Sequence, residues 1–495
     1  MAREVDILDE YGAEIGAALG FNPTSNSTKP LSIANALFRS CLGTICDTKD
    51  IHEWIVSERR NSDSILQSSE IRDKYQHILV RGANESVDDI KEARFVLEQV
   101  FNPDSTVYPS YQDSVLNIPS RWLVRPSFKA EARIGDFIYE ILSCPINGKA
   151  SPAIELIKAA LKDDDDDISR LIKPILTSAY KDKERILDVE INPKSISLNS
   201  SKQAIRKGFD NLTANLHYTG QARNSLLVLK RMVNYAVFAS YYYLVDVNNA
   251  EYKGDRIPLL LDSFSDLDAI ERASELCYIA CKKSVEAYIV NLLEDIIRRE
   301  RLVADITSAD ACRAFIKGMP LKAVKEKKNA REALMQYFDT FFAGGDEPLR
   351  ALSRAIQFAI YTFTYPNNTP SDFCRVLGTR AGLVGPGGGA KFKRLLINRF
   401  LLETIVLSTI NLEGMCNGIE LRELGELLRS QYYILIGTDT DKDYSLLDQA
   451  KIAQDAPEDL RGELASNARC IADMLITMGL AKRYADGVTI IGWGL

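Results

Sequence analysis

Apolar residues recur at helical spacing along most of this chain. Ile134, Phe137, Ile138, Ile141 and Leu142 fall at i, i+3, i+4, i+7 and i+8, which is one stripe on a helix. Cys281, Val285, Tyr288, Ile289, Leu292, Leu293 and Ile296 repeat the pattern over four turns. Residues 348–364 and 395–412 also read as buried helices, and Pro145 and Pro320 stand where helices are expected to end. Strand-like alternation is confined to 186–191, 481–484 and 487–493. The pattern specifies a mainly α protein.

The chain has 495 residues, 46% of them hydrophobic, enough to bury a core and too many for a single one. Breaks in the pattern suggest three parts. They are an N-terminal helical part (1–190), a central helical part (191–380) and a third part (381–495) that begins at a glycine-rich loop. In the third part an apolar helix is expected at about 393–411, a shorter one at 419–429 and a long one opened by Pro457 and closed by Gly479. A hairpin turned at Asp486-Gly487 follows. Helices followed by a hairpin make a winged-helix-like plan, in which the third helix would enter a DNA groove. That helix carries Arg461 and Arg469 against Glu458, Asp459, Glu463 and Asp473, a poor face for reading a groove, so protein docking is an equal expectation.

The first residues, MAREVDILDEYG, carry acid and no apolar run, so no signal peptide is expected. The most apolar stretch, 226–245, is interrupted by Lys230, Arg231 and Asn234, which favours a buried helix over a bilayer span. Nine cysteines spread over this length do not make a secreted disulfide framework. The expected setting is the cytoplasm, with no membrane partner.

Familiar catalytic patterns fail on inspection. Cys41, Cys46 and His52 supply three ligands without a fourth, and Cys41 sits in an apolar helical stretch, so buried thiols are expected rather than zinc. Cys277 and Cys281 read as core packing. The loop Gly385-Pro-Gly-Gly-Gly-Ala-Lys391 lacks the Gly-Lys-Ser/Thr of a phosphate-binding loop. Asp439, Asp441 and Asp443 imitate a calcium loop, but Tyr444 and Ala450 replace the turn glycine and the closing Glu, leaving a solvated connection as the expectation. The acidic run at 163–167 is expected to cap the helix that follows it. Asp246, Glu251 and Lys253 are the nearest match to a metal-dependent nuclease, which would need them on two strands. Asn248 and Asn249 instead suggest a surface turn. No catalytic residue, metal or cofactor is expected.

Charge is more informative. The chain carries 61 basic and 68 acidic residues, a net of −7, which excludes a surface coated with positive charge for nonspecific nucleic-acid binding. Yet 375–399 holds Arg375, Arg380, Lys391, Lys393, Arg394 and Arg399 with no acid among them. Basic residues in the first turn of a helix oppose its dipole and often meet an external anion. The second stretch, 298–331, has ten basic residues against four acidic ones, densest at Lys322, Lys325, Lys327 and Lys328. Nucleic-acid phosphate, an acidic partner protein and an acidic face of this same chain all fit these stretches.

Arg256-Ile-Pro-Leu-Leu-Leu-Asp262, followed by 266–278, resembles a segment of accessory proteins from bacterial anti-phage defence islands linked to modification-dependent restriction systems. Gly385-Pro-Gly-Gly-Gly, an apolar helix and a winged-helix tail resemble their C-terminal parts. The resemblance covers about half the chain and implies a non-catalytic subunit working beside an ATPase, helicase or nuclease. It supplies no catalytic residues. The leading expectation is a defence-complex subunit that binds partner subunits and double-stranded DNA. A protein-only scaffold and a divergent nuclease stand as alternatives.

Overall fold

Two long helices organise the chain in the computed structural model, which describes residues 6–23, 29–47, 118, 120–127, 131–163, 186–191, 196–264, 266–299, 308–321, 330–366, 368–387, 390–414 and 418–492. In the N-terminal region lie α1 (Ile7–Leu19), α2 (Pro30–Leu42), β1 (Thr44–Cys46), α3 (Ile134–Ser143), α4 (Pro152–Lys162) and β2 (Ile186–Asp188). Then come α5 (Ser200–Tyr218), α6 (Ser225–Tyr252), β3 (Leu259–Leu260) and α7 (Asp268–Arg299). Helices α8 (Ala309–Gly318), α9 (Ala330–Ala343), α10 (Pro348–Ala359) and α11 (Pro370–Arg380) follow. The last stretch contains β4 (Val384–Gly385), β5 (Arg394–Leu395), α12 (Arg399–Thr409), β6 (Ile419–Glu420), α13 (Leu421–Tyr432) and β7 (Ile434–Leu435). It ends with α14 (Thr440–Gln449), α15 (Pro457–Thr477), β8 (Ala481–Arg483) and β9 (Thr489–Ile491). The protein is mainly helical, as the periodicity predicts.

Helix α6 packs against α2, α4, α5, α7, α11 and α12, while α7 also meets α10, α11 and α15. This explains why 226–245 is apolar on nearly every face: a helix surrounded by helices has no solvated side. Two of its polar residues reach α12. Arg231 is buried against Glu403, and Asn234 donates to Thr404 at 3.1 Å. Among the described residues, no helix is long and apolar enough to cross a membrane. The buried apolar cluster is continuous from Leu8 to Ile491.

Several expectations change in detail. Helix α6 runs through Asn248 and Asn249, where a surface turn was expected, and ends only at Lys253 in the left-handed conformation. Both amides find tertiary or helical partners: Asn291 donates to Asn248, and Asn249 donates to Asp246. The helix expected over 393–411 is shorter, because 394–395 pair as a strand and Asn398 caps α12 through Leu401 N. The helix expected at 348–364 ends at Ala359 and continues as a wider π turn over Ile360–Thr364. The solvated connection expected at 439–443 is the start of α14. Asp439 caps it, and Asp443 is fully buried, accepting from Arg429 at 2.7 Å and from Gly437 N at 2.9 Å. Asp163 follows α4 and accepts from Ser225, whereas the rest of the acidic run lies outside the described residues.

Towards the C-terminus, Gly479 takes φ +73° and ends α15 as expected. The β8–β9 hairpin turns at Gly487. A third strand, β6, pairs with β9 through Ile419 and Ile491, giving the antiparallel order β6-β9-β8. Two residues are too short a strand to leave a period in the sequence.

Candidate nucleic-acid interface

The basic stretch at 375–399 spans α11, a short hairpin and the first turn of α12. Val384 pairs with Leu395 and Gly385 with Arg394. A Cβ at Gly385 would lie 2.6 Å from Leu396 Cδ1, so a larger residue there would need that leucine side chain to move. The hairpin is docked on the segment that follows β3. Asp262 N donates to Leu395 O at 2.9 Å, and Ile397 N returns a bond to Asp262 O at 3.3 Å. Ser274 Oγ bonds both the carbonyl and the amide of Leu395 at 2.9 Å. The two segments that carry the family resemblance, 256–278 and 385 onward, are therefore in direct contact.

The six cations have different roles. Arg394 is an internal tie: its guanidinium donates to Asp262 at 2.5 Å and to Glu271 at 2.6 Å. Its side chain is 15% exposed, and that of Asp262 is wholly buried. The expectation that Arg394 presents its charge outward from a helix first turn is thus replaced by a buried ion pair on a strand. Lys393 donates to Pro386 O at 2.8 Å. Partial burial, with Arg375 close by, pulls its amine below the ordinary lysine range. Arg375 pairs with Asp372 at 3.4 Å, and Arg380 is half-buried with a partner of its own. Lys391 and Arg399 are exposed and form no ion pair among the described residues. Arg399 is the only one of the six in the first turn of a helix.

Lys322, Lys325, Lys327 and Lys328 lie outside the described residues. Three of their described basic neighbours are engaged. Arg298 pairs with Glu294, Arg313 pairs with Asp310 and Asp339, and Arg331 donates to Met319 O.

Asp246, Glu251 and Lys253 do not form the two-strand arrangement that a nuclease reading requires, because the first two sit on one helix and the third caps it. Asp246 is buried and accepts from Ser201, Tyr242, Asn249 and Arg256. Glu251 accepts from Asn199 and Tyr288. Among the described residues no three His, Cys, Asp or Glu side chains are grouped to hold a metal ion. Cys41, Cys277, Cys281 and Cys374 are buried, and burial pushes each thiol above its ordinary value, as a packing role requires.

Two side chains beside the basic hairpin escaped the sequence reading. Phe392 is 70% exposed and Phe264 is 66% exposed, the two most exposed of the large apolar side chains described. The Lys391-Phe392-Lys393 triplet was a visible signal for the first, since a phenylalanine between two lysines after a glycine run has no helical or strand period to bury it. Phe264 carried no such signal. Its exposure depends on how the chain leaves β3.

No protein-family model matches this chain, and no curated protein or solved structure matches it.

Proposed function

We propose that this chain is an accessory, non-catalytic subunit of a bacterial anti-phage defence complex, contacting DNA phosphates through the hairpin at 385–399 and partner subunits through its helical surface. The effector, an ATPase, helicase or nuclease, is a separate chain. The observation that carries the reading is the docking of the hairpin on 256–278. Asp262 and Glu271 hold Arg394 inward, while Lys391 and Arg399 face solvent without an acidic partner among the described residues. Outward cations beside a docked strand pair suit a phosphate backbone, whose binding is electrostatic and independent of sequence.

The last stretch supports a winged-helix-like reading in which the module docks protein. Helices α12, α13 and α15 precede the β8–β9 hairpin, with β7 and α14 between α13 and α15, and β6 joins the hairpin as a third strand. On α15, Arg461 is occupied by Asp441 and lies over the Tyr444 ring, so its charge is spent within the chain.

The test is duplex-DNA binding across a salt series for Lys391→Glu and Arg399→Glu. Arg394 is left intact, because reversing it would set a carboxylate against Asp262. Each substitution is expected to weaken binding at low salt and to reduce the slope of log K against log salt by about 1. Unchanged affinity and slope would remove DNA from the hairpin's role and leave the protein-only scaffold.

A further inference from the structure

We infer that the cavity where α1 ends, α5 begins and α6 ends binds a free α-amino acid, its carboxylate on Lys202 and its ammonium on Glu251. This small-molecule site is separate from the DNA reading above and does not depend on it.

The cavity holds about 440 Å³, within the range of roughly 300–1,000 Å³ that small-molecule sites occupy. Leu19 and Phe137, both buried, form its apolar part with Ala17, Ala18 and Ile196. Arg133 and Glu140 also line it, but they are spent on each other at 3.0 Å. Arg133 takes φ +66° directly after Ala132 at +48°. Two left-handed non-glycine residues in succession are a strain that folds keep where the surroundings or a site impose it.

The two remaining charges of the lining are Lys202 and Glu251. Neither forms an ion pair among the described residues, although the charges of Glu251 and Glu140 both act on the Lys202 amine. Lys202 is half-buried over the Tyr243 ring, 5.5 Å from its centroid, and burial pulls its amine below the ordinary lysine range. Glu251 is held in place by Asn199 Nδ2 at 3.2 Å and the Tyr288 hydroxyl at 3.1 Å. Each charge stands at the wrong end of its own helix. Lys202 is in the first turn of α5, which carries no acid, and Glu251 is in the last turn of α6, which carries no base. The last turn of α1, which meets the same cavity, has no base either. Beside Lys202 and Phe137, the fully buried Tyr243 hydroxyl has no hydrogen-bond partner, a vacancy that native folds seldom leave.

This pattern selects the ligand class. An anion alone would suit Lys202 and the start of α5 but would face Glu251 and the carbonyl end of α1. A cation alone would meet the reverse conflict. A molecule with both charges one carbon apart satisfies the two ends together, and that is an α-amino acid. The apolar part of the cavity then favours an apolar side chain such as that of leucine.

The experiment is calorimetric titration of the full chain with L-leucine, with N-acetyl-L-leucine, which lacks the ammonium, and with L-leucinamide, which lacks the carboxylate. L-Leucine is expected to bind at one site per chain. Each blocked form should bind about ten-fold or more weakly, the loss expected when a charged group is left without its partner. Lys202→Met and Glu251→Gln should each weaken L-leucine by a similar factor, with the thermal midpoint of the ligand-free protein as the folding control. Absence of binding by L-leucine, L-valine and L-phenylalanine at millimolar concentration overturns the inference. If N-acetyl-L-leucine binds as tightly as L-leucine, the cavity is a carboxylate site only, and if L-leucinamide does, it is an amine site only. Either result also overturns it, as does folded Lys202→Met and Glu251→Gln protein that binds L-leucine like wild type.

Discussion

Asp443 shows how a single residue changes meaning once its neighbours are known. In the sequence it belongs to an acidic run and looks solvated. In the structure it is fully buried against Arg429, whose side chain is 4% exposed, and burial pushes its carboxyl above the usual aspartate range against the pull of that guanidinium. Removing one partner of a buried ion pair strands the other, so Asp443→Ala is expected to cost about 3–5 kcal/mol in urea unfolding. A loss below 1 kcal/mol would show that Arg429 finds water or Glu426 sufficient. The cysteines give a second prediction at this scale. Burial raises the Cys277 and Cys374 thiols to about 12, so very little thiolate exists at pH 8. Alkylation of the native protein at pH 8 should therefore mark the half-buried Cys470 well before Cys277 or Cys374, with those two reacting only as denaturant opens α7 and α11. Equal labelling rates would contradict the packing role.

The periodicity of the sequence was enough to find long helices, because burial of one face repeats every turn and leaves a trace over many residues. Helices α3, α7 and α15 fall where their apolar stripes predict, with ends set by Pro145, Pro457 and Gly479. Two- and three-residue strands leave no such trace. Strands β3 and β7 are 175 residues apart by register, with Leu259 opposite Ile434, and their parallel pairing is a product of packing. Asn467 on α15 locks this region: it donates to Leu261 O at 2.8 Å and Ile436 O at 3.4 Å and accepts from Ser263 N. Asn467→Leu would leave a buried amide and two carbonyls without partners. It is expected to destabilise the protein by about 2–4 kcal/mol in the same unfolding assay, where a neutral result would mean the three bonds are replaceable. Helix α15 can approach only because Gly437, at φ +89°, has no Cβ. One placed there would lie 1.9 Å from Leu464 O.

At the scale of the whole molecule, bonds cross residue 381 in number. Besides the hairpin and Asn467, Glu463 accepts from Ala269 N and Ile270 N at the start of α7, and Asn215 on α5 donates to Leu407 O and Ile410 O. The part from 381 onward is therefore expected to unfold with α5, α6 and α7. Calorimetry should give one transition for this body, and a separate low-temperature transition that Asn467→Leu leaves untouched would contradict it. What the sequence by itself determined was the helical class, most long helices and the gathering of basic residues at 375–399, all of which are local or periodic properties. What only the tertiary structure decided was which charges are spent inside. Arg394 and Asp443 look like surface charges in the chain and become buried ties, while Phe264 carries no sign of exposure in the chain and stands in solvent. The reason is physical: burial depends on which distant segment arrives beside a residue, and no period in the chain records the arrival of Asp262 at Arg394 from 132 residues away.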